Sequence, residues 1–455
     1  MSNFIPPFPH RHAAPLNPVQ ILYLARKDLL SIWPEAAFNY QFMSRKIFNQ
    51  HVFIANHPDI VKHVFVDNNH NYERKSPMMR KALDMLLGDG LFISDGQTWA
   101  MRRKLQTPLF SSQHVQYYSE VMVQVADELA KNWQTHNGQT LHVLPEMAKL
   151  TAEIICRCLF GNKLGAANAT EVVDAFTEYQ TAIEQMDLST FLGLPSWLPM
   201  PGMNMNKARK AAVRIHRVVD KIIQNSLEKE ADGSLLSLLL EAAKHERYES
   251  ITQVQIRNEL IVLFMAGHET TANTLAWTWY LISQVPEIEA KLHTELDQVL
   301  DGRLPSYADY DKLVYTQAIL NESMRLYPPV PILSRQSSQP DVIRKKSIPP
   351  DSIMLVIPWL LHRHKQYWDK PDHFMPERFM PDAPEKINKY AYIPFSLGPR
   401  VCLGKYFGQV ELVMSFATLA QRFRLTLPLG TSVKHECRLT LRPSGGLPMQ
   451  AEARF

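Results

Sequence analysis

The feature that most limits how this chain can fold is a long apolar run over residues 260–285. The run contains His268, Glu269, Asn273 and four threonines, and such polar side chains at mid-span would be costly inside a lipid bilayer. A helix that is apolar on all its faces is normally buried. The run therefore predicts a long helix enclosed by the rest of a large protein.

The chain is large enough to provide that enclosure. It has 455 residues, of which 45% are hydrophobic and 21% charged, and this composition rules out disorder as its main state. No Gly/Ser linker, internal repeat or low-complexity stretch divides it, so residues 1–455 are expected to form a single domain. A net charge of +4 over this length does not favour nucleic acid as a partner.

The cysteines and the N-terminus indicate the compartment. The four cysteines, Cys156, Cys158, Cys402 and Cys437, are too few for a disulfide framework, and their spacings do not form paired zinc half-sites. The first nine residues contain three prolines, and no apolar core of signal-peptide length follows. These features predict a soluble, cytoplasmic protein without a membrane span.

Hydrophobic periodicity predicts a mainly α-helical fold with a minor β-sheet portion. Apolar residues recur every three or four positions over residues 17–45, 112–133, 141–160, 171–186, 205–230 and 253–285, and a further helix should open at His57. Strand patterns cover residues 47–55, 353–357, 439–442 and 448–453. Both ends of the chain are thus expected to contribute to the sheet portion.

The most informative segment is residues 395–404, Phe-Ser-Leu-Gly-Pro-Arg-Val-Cys-Leu-Gly, which runs directly into a helical pattern. Cys402 is therefore expected just before a helix N-terminus, where the helix dipole and free N–H groups lower the pKa of a thiol. Gly398 and Gly404 allow the backbone to approach a group held by the sulfur, and Arg400 adds a cation. A thiolate beside an arginine suits haem iron and a haem carboxylate, whereas a lone cysteine is more often a small buried hydrophobe.

This segment resembles the signature of the cytochrome P450 family, Phe-x-x-Gly-x-Arg-x-Cys-x-Gly. All five fixed positions are matched, by Phe395, Gly398, Arg400, Cys402 and Gly404. The resemblance implies the cytochrome P450 fold, a bound haem b (iron protoporphyrin IX), and Cys402 as the proximal iron ligand with Phe395 packed beside the sulfur.

Two further motifs stand in the family's order. Residues 322–325, Glu-Ser-Met-Arg, match Glu-x-x-Arg, and residues 376–379, Pro-Glu-Arg-Phe, supply Arg378. Glu322 and Arg325 are one helical turn apart and can pair, and a buried carboxylate between two guanidiniums would specify the fold. Taken alone, the first motif is more typical of a solvated helix face.

The resemblance also implies which side chains bind the haem propionates. Trp99 and Arg103 match the family's Trp-x-x-x-Arg, and Arg335 occupies the position of another propionate-binding arginine. His362 is a weaker candidate of the same kind. For Arg335 and His362, a surface residue on a strand or loop is the alternative.

The middle of the long helix predicts the oxygen side of the site. Ala266 and Gly267 are small enough to leave room for a diatomic ligand on iron, and a local opening of the helix is expected there. The family's acid–alcohol pair falls at Glu269 and Thr270, which implies proton delivery to bound O2. Alternatively, the threonine hydroxyls only satisfy their own backbone, and His268 is expected to be a core histidine.

The segments that resemble the family's substrate-contact regions are apolar, so the substrate should be lipophilic, with a fatty acid or a terpenoid favoured. They comprise Met78, Met79, Leu83, Met85, Leu86, Leu87, Val330, Ile332 and Leu333. Residues 195–201, with three prolines, look like the family's lid over the access channel. The chain ends about fifty residues after Cys402, which predicts no fused reductase module.

The resemblance as a whole implies a haem-thiolate monooxygenase that inserts one oxygen atom from O2 into its substrate. The electrons would come ultimately from NAD(P)H through a separate ferredoxin and reductase or a flavodoxin-type donor. Lys104, Lys405 and Arg422 are candidates for a basic docking face. Two alternatives stay open: a haem protein of the same fold that rearranges or couples its substrate, and a non-catalytic haem binding or sensing protein.

Overall fold

A computed structural model describes most of the chain. The described residues are 4–25, 28–47, 50–161, 205–227, 232–244, 251–437 and 439–454, together with positions 171, 174–176, 178, 179 and 182. Most of the predicted helix over residues 171–186 and all of the predicted lid over residues 195–201 lie outside them.

The prediction of a mainly helical fold with a small sheet portion is confirmed. The helices are α1 Pro18–Ala25, α2 Pro58–Lys62, α3 Pro77–Leu87, α4 Gly96–Gln106, α5 Ser112–Thr135, α6 Val143–Phe160, α7 Met205–Leu227, α8 Leu235–Ala243, α9 Gln253–Ser283, α10 Pro286–Leu300, α11 Val314–Leu326, α12 Pro358–Leu361 and α13 Lys405–Ala420. The strands are β1 Phe42–Ile47, β2 Gln50–Ala55, β3 Thr140–His142, β4 Leu333–Gln336, β5 Asp341–Ile343, β6 Lys346–Ile348, β7 Ile353–Val356, β8 Phe423–Thr426, β9 His435–Cys437, β10 Leu441–Pro443 and β11 Pro448–Ala453.

The apolar run forms the central helix α9, as predicted. Thr252 begins it with a capping box: its hydroxyl accepts from the Gln255 N–H, and the Gln255 side chain accepts from the Thr252 N–H. Pro286 opens the next helix, so α9 ends just before it. Helices α3, α6, α7, α11 and α13 all pack against α9. Among the described residues, no helix combines the length and the hydropathy needed to cross a bilayer.

The sheet portion is assembled from distant parts of the chain. The largest sheet has the strand order β1-β2-β7-β4, in which β2 and β7 are parallel and the other two pairs antiparallel. A second sheet, β3-β11-β8, joins residues 140–142 to the C-terminal end. Strands β9 and β10 form a separate hairpin, and so do β5 and β6.

The predicted helix over residues 17–45 is wrong beyond its first part. Helix α1 ends at Ala25, a short 3-10 turn covers Leu29–Ile32, and Pro34 stands before a second turn at Glu35–Phe38. The chain then enters β1, which pairs with β2. A proline inside the pattern breaks the helix, and this tertiary pairing overrides the remaining helical periodicity.

Two adjacent arginines on α4 have different roles. Arg102 is completely buried, donates to Asp89 at 2.8 Å and lies 3.4 Å from a Glu259 carboxylate oxygen on α9. The other Glu259 oxygen accepts from the Leu91 N–H at 3.1 Å, and burial raises the pKa of Glu259 to about 7. Arg102 therefore attaches the loop between α3 and α4 to the central helix, which leaves Arg103 for the site.

Candidate active site

Cys402 lies on the loop that leads into α13, as predicted. Its backbone N–H donates to the Phe395 carbonyl at 2.9 Å, and Gly404 is the N-cap residue of α13. Of the four cysteines, Cys402 has an exposed side chain, whereas Cys156, Cys158 and Cys437 are buried. The alternative interpretation of Cys402 as a small buried hydrophobe is therefore wrong.

The expected lowering of the Cys402 pKa is also wrong in its net direction. Although Cys402 is exposed, the surrounding protein atoms desolvate its thiol, and this raises the pKa of the thiol. The Gly404 N–H, Arg103 and Lys405 act in the opposite direction but do not outweigh the burial. A metal ion on the sulfur would deprotonate such a thiol outright.

Gly398 is required by packing within the protein. It has a φ of +69°, and a Cβ at this position would lie 1.8 Å from the Phe65 carbonyl oxygen. At Gly404, by contrast, a Cβ would meet only the Phe110 ring at 3.9 Å, an ordinary contact. Glycine is thus needed at position 398 so that the loop can pack against residues 65–66. The sequence had predicted a different reason, the close approach of the backbone to the group on the sulfur.

Replacing Gly398 with alanine should therefore destabilise the folded protein. The new Cβ would force the loop away from Phe65, and the left-handed backbone adds strain of about 1–3 kcal/mol. Gly408→Ala is the matched control, because it lies in α13 with open space around it and should stabilise the helix by up to about 1 kcal/mol. Urea unfolding of both variants measures the two effects, and equal stabilities would contradict the steric argument.

A group of buried cations lies near this loop. Arg335 on β4 is 2% exposed, lies over the Phe65 ring at 4.9 Å, and donates to the neighbouring Ser334 carbonyl at 2.9 Å. Burial, with a contribution from Arg400, lowers the pKa of Arg335 to about 9. The surface alternative for Arg335 is thus excluded.

Arg400 is held from three directions. Its guanidinium donates to the Ser94 carbonyl at 2.8 Å and to Glu73 at 3.1 Å, and it lies 4.4 Å from the centre of the Trp99 ring. Trp99 therefore supports Arg400. Arg103, one turn further along α4, donates to the Val401 carbonyl at 2.8 Å and so contacts the loop directly before Cys402.

Lys75, which is half-buried, joins this group of cations and was missed by sequence reasoning. Its ammonium lies 4.6 Å from the centre of the Phe92 ring, and burial together with Arg335 and Arg400 lowers its pKa well below the usual value. Among the residues that the structure describes, no carboxylate pairs with Lys75 or Arg335. In the sequence, Lys75 stands between an arginine and the serine that caps α3, and this position by itself does not indicate a role in the site.

These residues fit the haem that the resemblance implies. Buried cations that repel one another require compensating negative charge, and the two carboxylates of a haem would supply it. Cys402 offers a thiol to a metal ion on the same side of the molecule. The donor set thus suits an iron centre that carries acidic side groups.

The opposite wall is formed by the middle of α9. Between residues 260 and 282 every side chain is buried except those at positions 265, 266, 267, 269 and 270. Ala266 is the most exposed of these positions, and the space near iron expected beside it stays a prediction. Gly267 faces α6 closely, since a Cβ there would lie 3.1 Å from Ile155 Cδ1. Its small size therefore serves helix packing, and its role in the pocket stays a prediction.

Helix α9 is continuous, so the expected local opening does not interrupt it. The Thr270 hydroxyl donates to the Ala266 carbonyl at 2.8 Å, as the backbone-satisfaction alternative proposed. The Glu269 carboxylate instead accepts from Thr440 at 2.6 Å. His268 is a core histidine, as predicted: it is 5% exposed, is stacked on Phe264, and has its pKa lowered to about 4 by burial.

The structure brings the second set of motif residues together. Arg325 donates to both carboxylate oxygens of Glu322, at 2.6 and 2.8 Å, and Arg378 donates to the same carboxylate at 3.2 Å. Glu322 and Arg325 are both completely buried, so the solvated-face alternative is wrong.

Arg325 also connects this network to the segment before Cys402. It donates to the carbonyl of His362 at 2.8 Å, and the His362 ring accepts from the Ile393 N–H at 2.9 Å. The Ile393 carbonyl in turn accepts from Ser396 at the start of the loop. His362 is completely buried in these contacts, which excludes the surface alternative for it.

The predicted substrate-contact residues divide into two groups. Leu83, Leu86, Leu87 and Ile332 are buried in the main hydrophobic core. Met79, Met85, Val330 and Leu333 are partly exposed, and the side chain of Met78 lies outside the described residues. Among the described members of this set, the partly exposed side chains are therefore the ones available to line a pocket.

Known proteins share both the sequence pattern and the fold. The family described as cytochrome P450 matches residues 6–448. Cyclooctatin synthase of Streptomyces melanosporofaciens is 31% identical over 410 residues, covering 89% of this chain and 86% of the relative. Pentalenene oxygenase of Streptomyces avermitilis is 28% identical over 407 residues, covering 88% of this chain and 89% of the relative.

A solved structure, the heme domain of cytochrome P450DA, has the same fold. It superposes with a TM-score of 0.81 at 24% sequence identity and covers 91% of this chain and 90% of its own. Another relative, also from Streptomyces melanosporofaciens, is named cyclooctat-9-en-7-ol 5-monooxygenase and is 30% identical, covering 88% of this chain and 86% of the relative. Because the family match spans nearly the whole chain and the fold agrees, the chain belongs to the cytochrome P450 family and is an oxidoreductase.

Proposed function

We propose that this protein is a haem-thiolate monooxygenase, a single catalytic domain that inserts one oxygen atom into a lipophilic substrate, with a cyclic terpenoid as the favoured class. The observation that carries the proposal is the placement of the accessible Cys402 beside a group of buried, incompletely paired cations. The oxygenase and monooxygenase names of the relatives favour turnover over the sensing and rearrangement alternatives.

Cys402 would hold the iron of haem b, with Phe395 packed beside the sulfur and Gly404 donating to it. Arg103, Arg335, Arg400 and Lys75 would pair with the propionates, and Trp99 would support Arg400 through the ring contact. When bound, the haem supplies the iron at which dioxygen is reduced: one atom enters the substrate and the other leaves as water, with two electrons and two protons consumed.

Protons would arrive along α9. The Thr270 hydroxyl donates its hydrogen to the Ala266 carbonyl. The lone pairs of the hydroxyl oxygen are directed away from that bond and can accept a hydrogen bond from a donor in the pocket. Glu269, the preceding residue of the helix, supplies the acid. With haem bound, Glu269 and Thr270 would direct protons to the side of the site where dioxygen is reduced, and without that direction the same two electrons and two protons would leave as hydrogen peroxide.

Thr270→Ala should uncouple electron consumption from product. The variant should still consume NAD(P)H with its redox partners, but most of the electrons should appear as peroxide. Thr274→Ala is the matched control, because its hydroxyl makes the same type of bond one turn away, to the Thr270 carbonyl at 2.9 Å. Product and peroxide assays per NAD(P)H measure the effect, and unchanged coupling in Thr270→Ala would refute the relay.

The substrate proposal rests on apolar residues and on the relatives' names. The partly exposed Met79, Met85, Val330 and Leu333 are all apolar, and thioethers adapt to irregular shapes. Three relatives are named for cyclooctatin, cyclooctat-9-en-7-ol and pentalenene. A cyclic terpenoid fits these observations better than a fatty acid.

The test is a titration of the haem absorption band of the purified protein with cyclic terpenoids, fatty acids and aromatic ring compounds. Terpenoids should shift the band at micromolar concentration, because a bound substrate displaces water from the iron. A shift with fatty acids alone would overturn the substrate class. A protein that shows no haem band after haem supplementation would overturn the function.

Electrons from NAD(P)H would reach the haem through a separate ferredoxin or flavodoxin-type protein.

The predicted basic docking face is only partly available to such a donor. Lys104 and Lys405 are exposed and flank the Cys402 loop, whereas Arg422 pairs with Asp127 at 2.6 Å and is less available than expected. Lys405→Glu should slow reduction of the haem more at low than at high ionic strength, with Lys345→Glu, on the β5–β6 turn and outside the predicted docking face, as the control. Equal reduction rates for the two variants at low ionic strength would refute this docking face. The small number of cysteines, four in 455 residues, supports a cytoplasmic location.

A further inference from the structure

The Glu269 carboxylate lies against the C-terminal hairpin. The Thr440 hydroxyl donates to Glu269 Oε1 at 2.6 Å, and Arg442 Nη1 lies 3.8 Å from the same oxygen. Thr440 stands in the turn between β9 and β10, and Arg442 lies on β10. The two residues come from a segment about 170 positions away in sequence.

The hairpin has little freedom to move at this point. Leu441, next to Thr440, donates its N–H to the Pro329 carbonyl at 3.0 Å. Its own carbonyl accepts from the Trp277 indole of α9 at 3.3 Å. Because both backbone groups of Leu441 are bonded, the neighbouring Thr440 hydroxyl is presented to Glu269 from a fixed backbone.

Burial makes these contacts stronger than surface contacts. Thr440 is 7% exposed, and the side chains of Glu269 and Arg442 are 14% and 22% exposed. Arg442 is held from its other side by Glu436, directly opposite on β9, at 3.2 Å. A short hydrogen bond to a partly buried carboxylate fixes the orientation of its oxygens.

We propose that Thr440, assisted by Arg442, is a positioning residue for proton delivery: it holds the Glu269 carboxylate in the orientation from which it serves Thr270. This inference rests on the proposed role of Glu269 in the relay. It assigns the turn of the β9–β10 hairpin to the proton-delivery apparatus, in addition to any contact with the substrate.

The experiment compares Thr440→Val, which keeps the shape but removes the donor, with Thr440→Ser, which keeps the donor. Thr440→Val should lower the ratio of product to peroxide by roughly tenfold, the size of a lost hydrogen bond to a charged group. The substrate Kd from the haem band shift should stay within about twofold of the wild-type value, since the change acts through Glu269. Thr440→Ser should restore coupling, and Thr431→Val, in the loop before the hairpin, should leave it unchanged.

Combination with Glu269→Gln separates the inference from the function on which it rests. If Thr440 acts through Glu269, the double variant should couple no worse than Glu269→Gln alone. If the two substitutions cause additive losses of coupling, the positioning role is overturned and the relay is left intact. The same conclusion follows if Thr440→Val couples normally while Glu269→Gln is uncoupled. A normally coupled Glu269→Gln would refute the relay itself. If Thr440→Val does not bind haem, the product-to-peroxide ratio of Arg442→Gln tests the proposal instead. This variant should show a smaller loss of coupling than expected for Thr440→Val. Normal coupling in Arg442→Gln would count against the proposal.

Discussion

Cys402→Ser should abolish monooxygenase turnover while leaving the fold in place. A serine oxygen does not supply the electron density that a thiolate gives to iron, and the loop around it is held by backbone bonds that do not involve the sulfur. The loss should exceed the roughly 100-fold decrease that follows removal of a hydrogen-bond partner of a metal ligand.

Two measurements check this expectation. The carbon monoxide difference spectrum should lose the band typical of thiolate-bound haem, and product formation should fall to background. Cys156→Ser is the matched control, because Cys156 is buried in α6 and should keep the thiolate band despite some loss of stability. A Cys402→Ser variant that retains both the band and turnover would show that another residue binds the iron.

Glu322→Gln should cost about 3–5 kcal/mol of folding free energy, because it leaves Arg325 buried without its carboxylate partner. Arg325 is completely buried. It donates hydrogen bonds to the Glu322 carboxylate and to the carbonyls of His362, Pro371 and His373. The network extends through His362 and Ile393 to the Cys402 loop. Haem retention should therefore fall together with stability.

The control is the same substitution in an exposed pair. Glu128 also accepts two hydrogen bonds from an arginine, Arg157, at 2.7 and 3.0 Å, but its side chain is 46% exposed. Glu128→Gln should cost no more than about 1 kcal/mol. Urea unfolding followed by tryptophan fluorescence compares the two variants, and similar losses would show that burial does not set the value of the Glu322–Arg325 pair.

Some features were accessible from the sequence because they are local. The helical periodicity over residues 253–285 predicts α9 nearly to its observed ends, and the apolar run within it predicts burial, since a helix without a polar face must be buried whatever surrounds it. The signature loop before α13 was likewise identified from residues 395–404 alone. The helix expected over residues 17–45 failed, because the pairing of β1 with β2 is decided by contacts that periodicity does not report.

The sign of the Cys402 pKa shift shows a second limit. The sequence places the thiol near a helix N-terminus, which by itself lowers the pKa. The enclosure of the sulfur by protein, which raises it, depends on elements from several parts of the chain. The same applies to Gly398, whose glycine requirement comes from the backbone of Phe65.

By itself, the sequence determined the helical class, the buried central helix and the residues of the signature, because each depends on the type and spacing of neighbouring residues. Only the tertiary structure decided which charged and polar groups meet. Lys75 joins Arg335 and Arg400 in one buried group, and Thr440 reaches Glu269 from the far end of the chain. Electrostatic and hydrogen-bond energies depend on distance and burial, and both are properties of the folded chain.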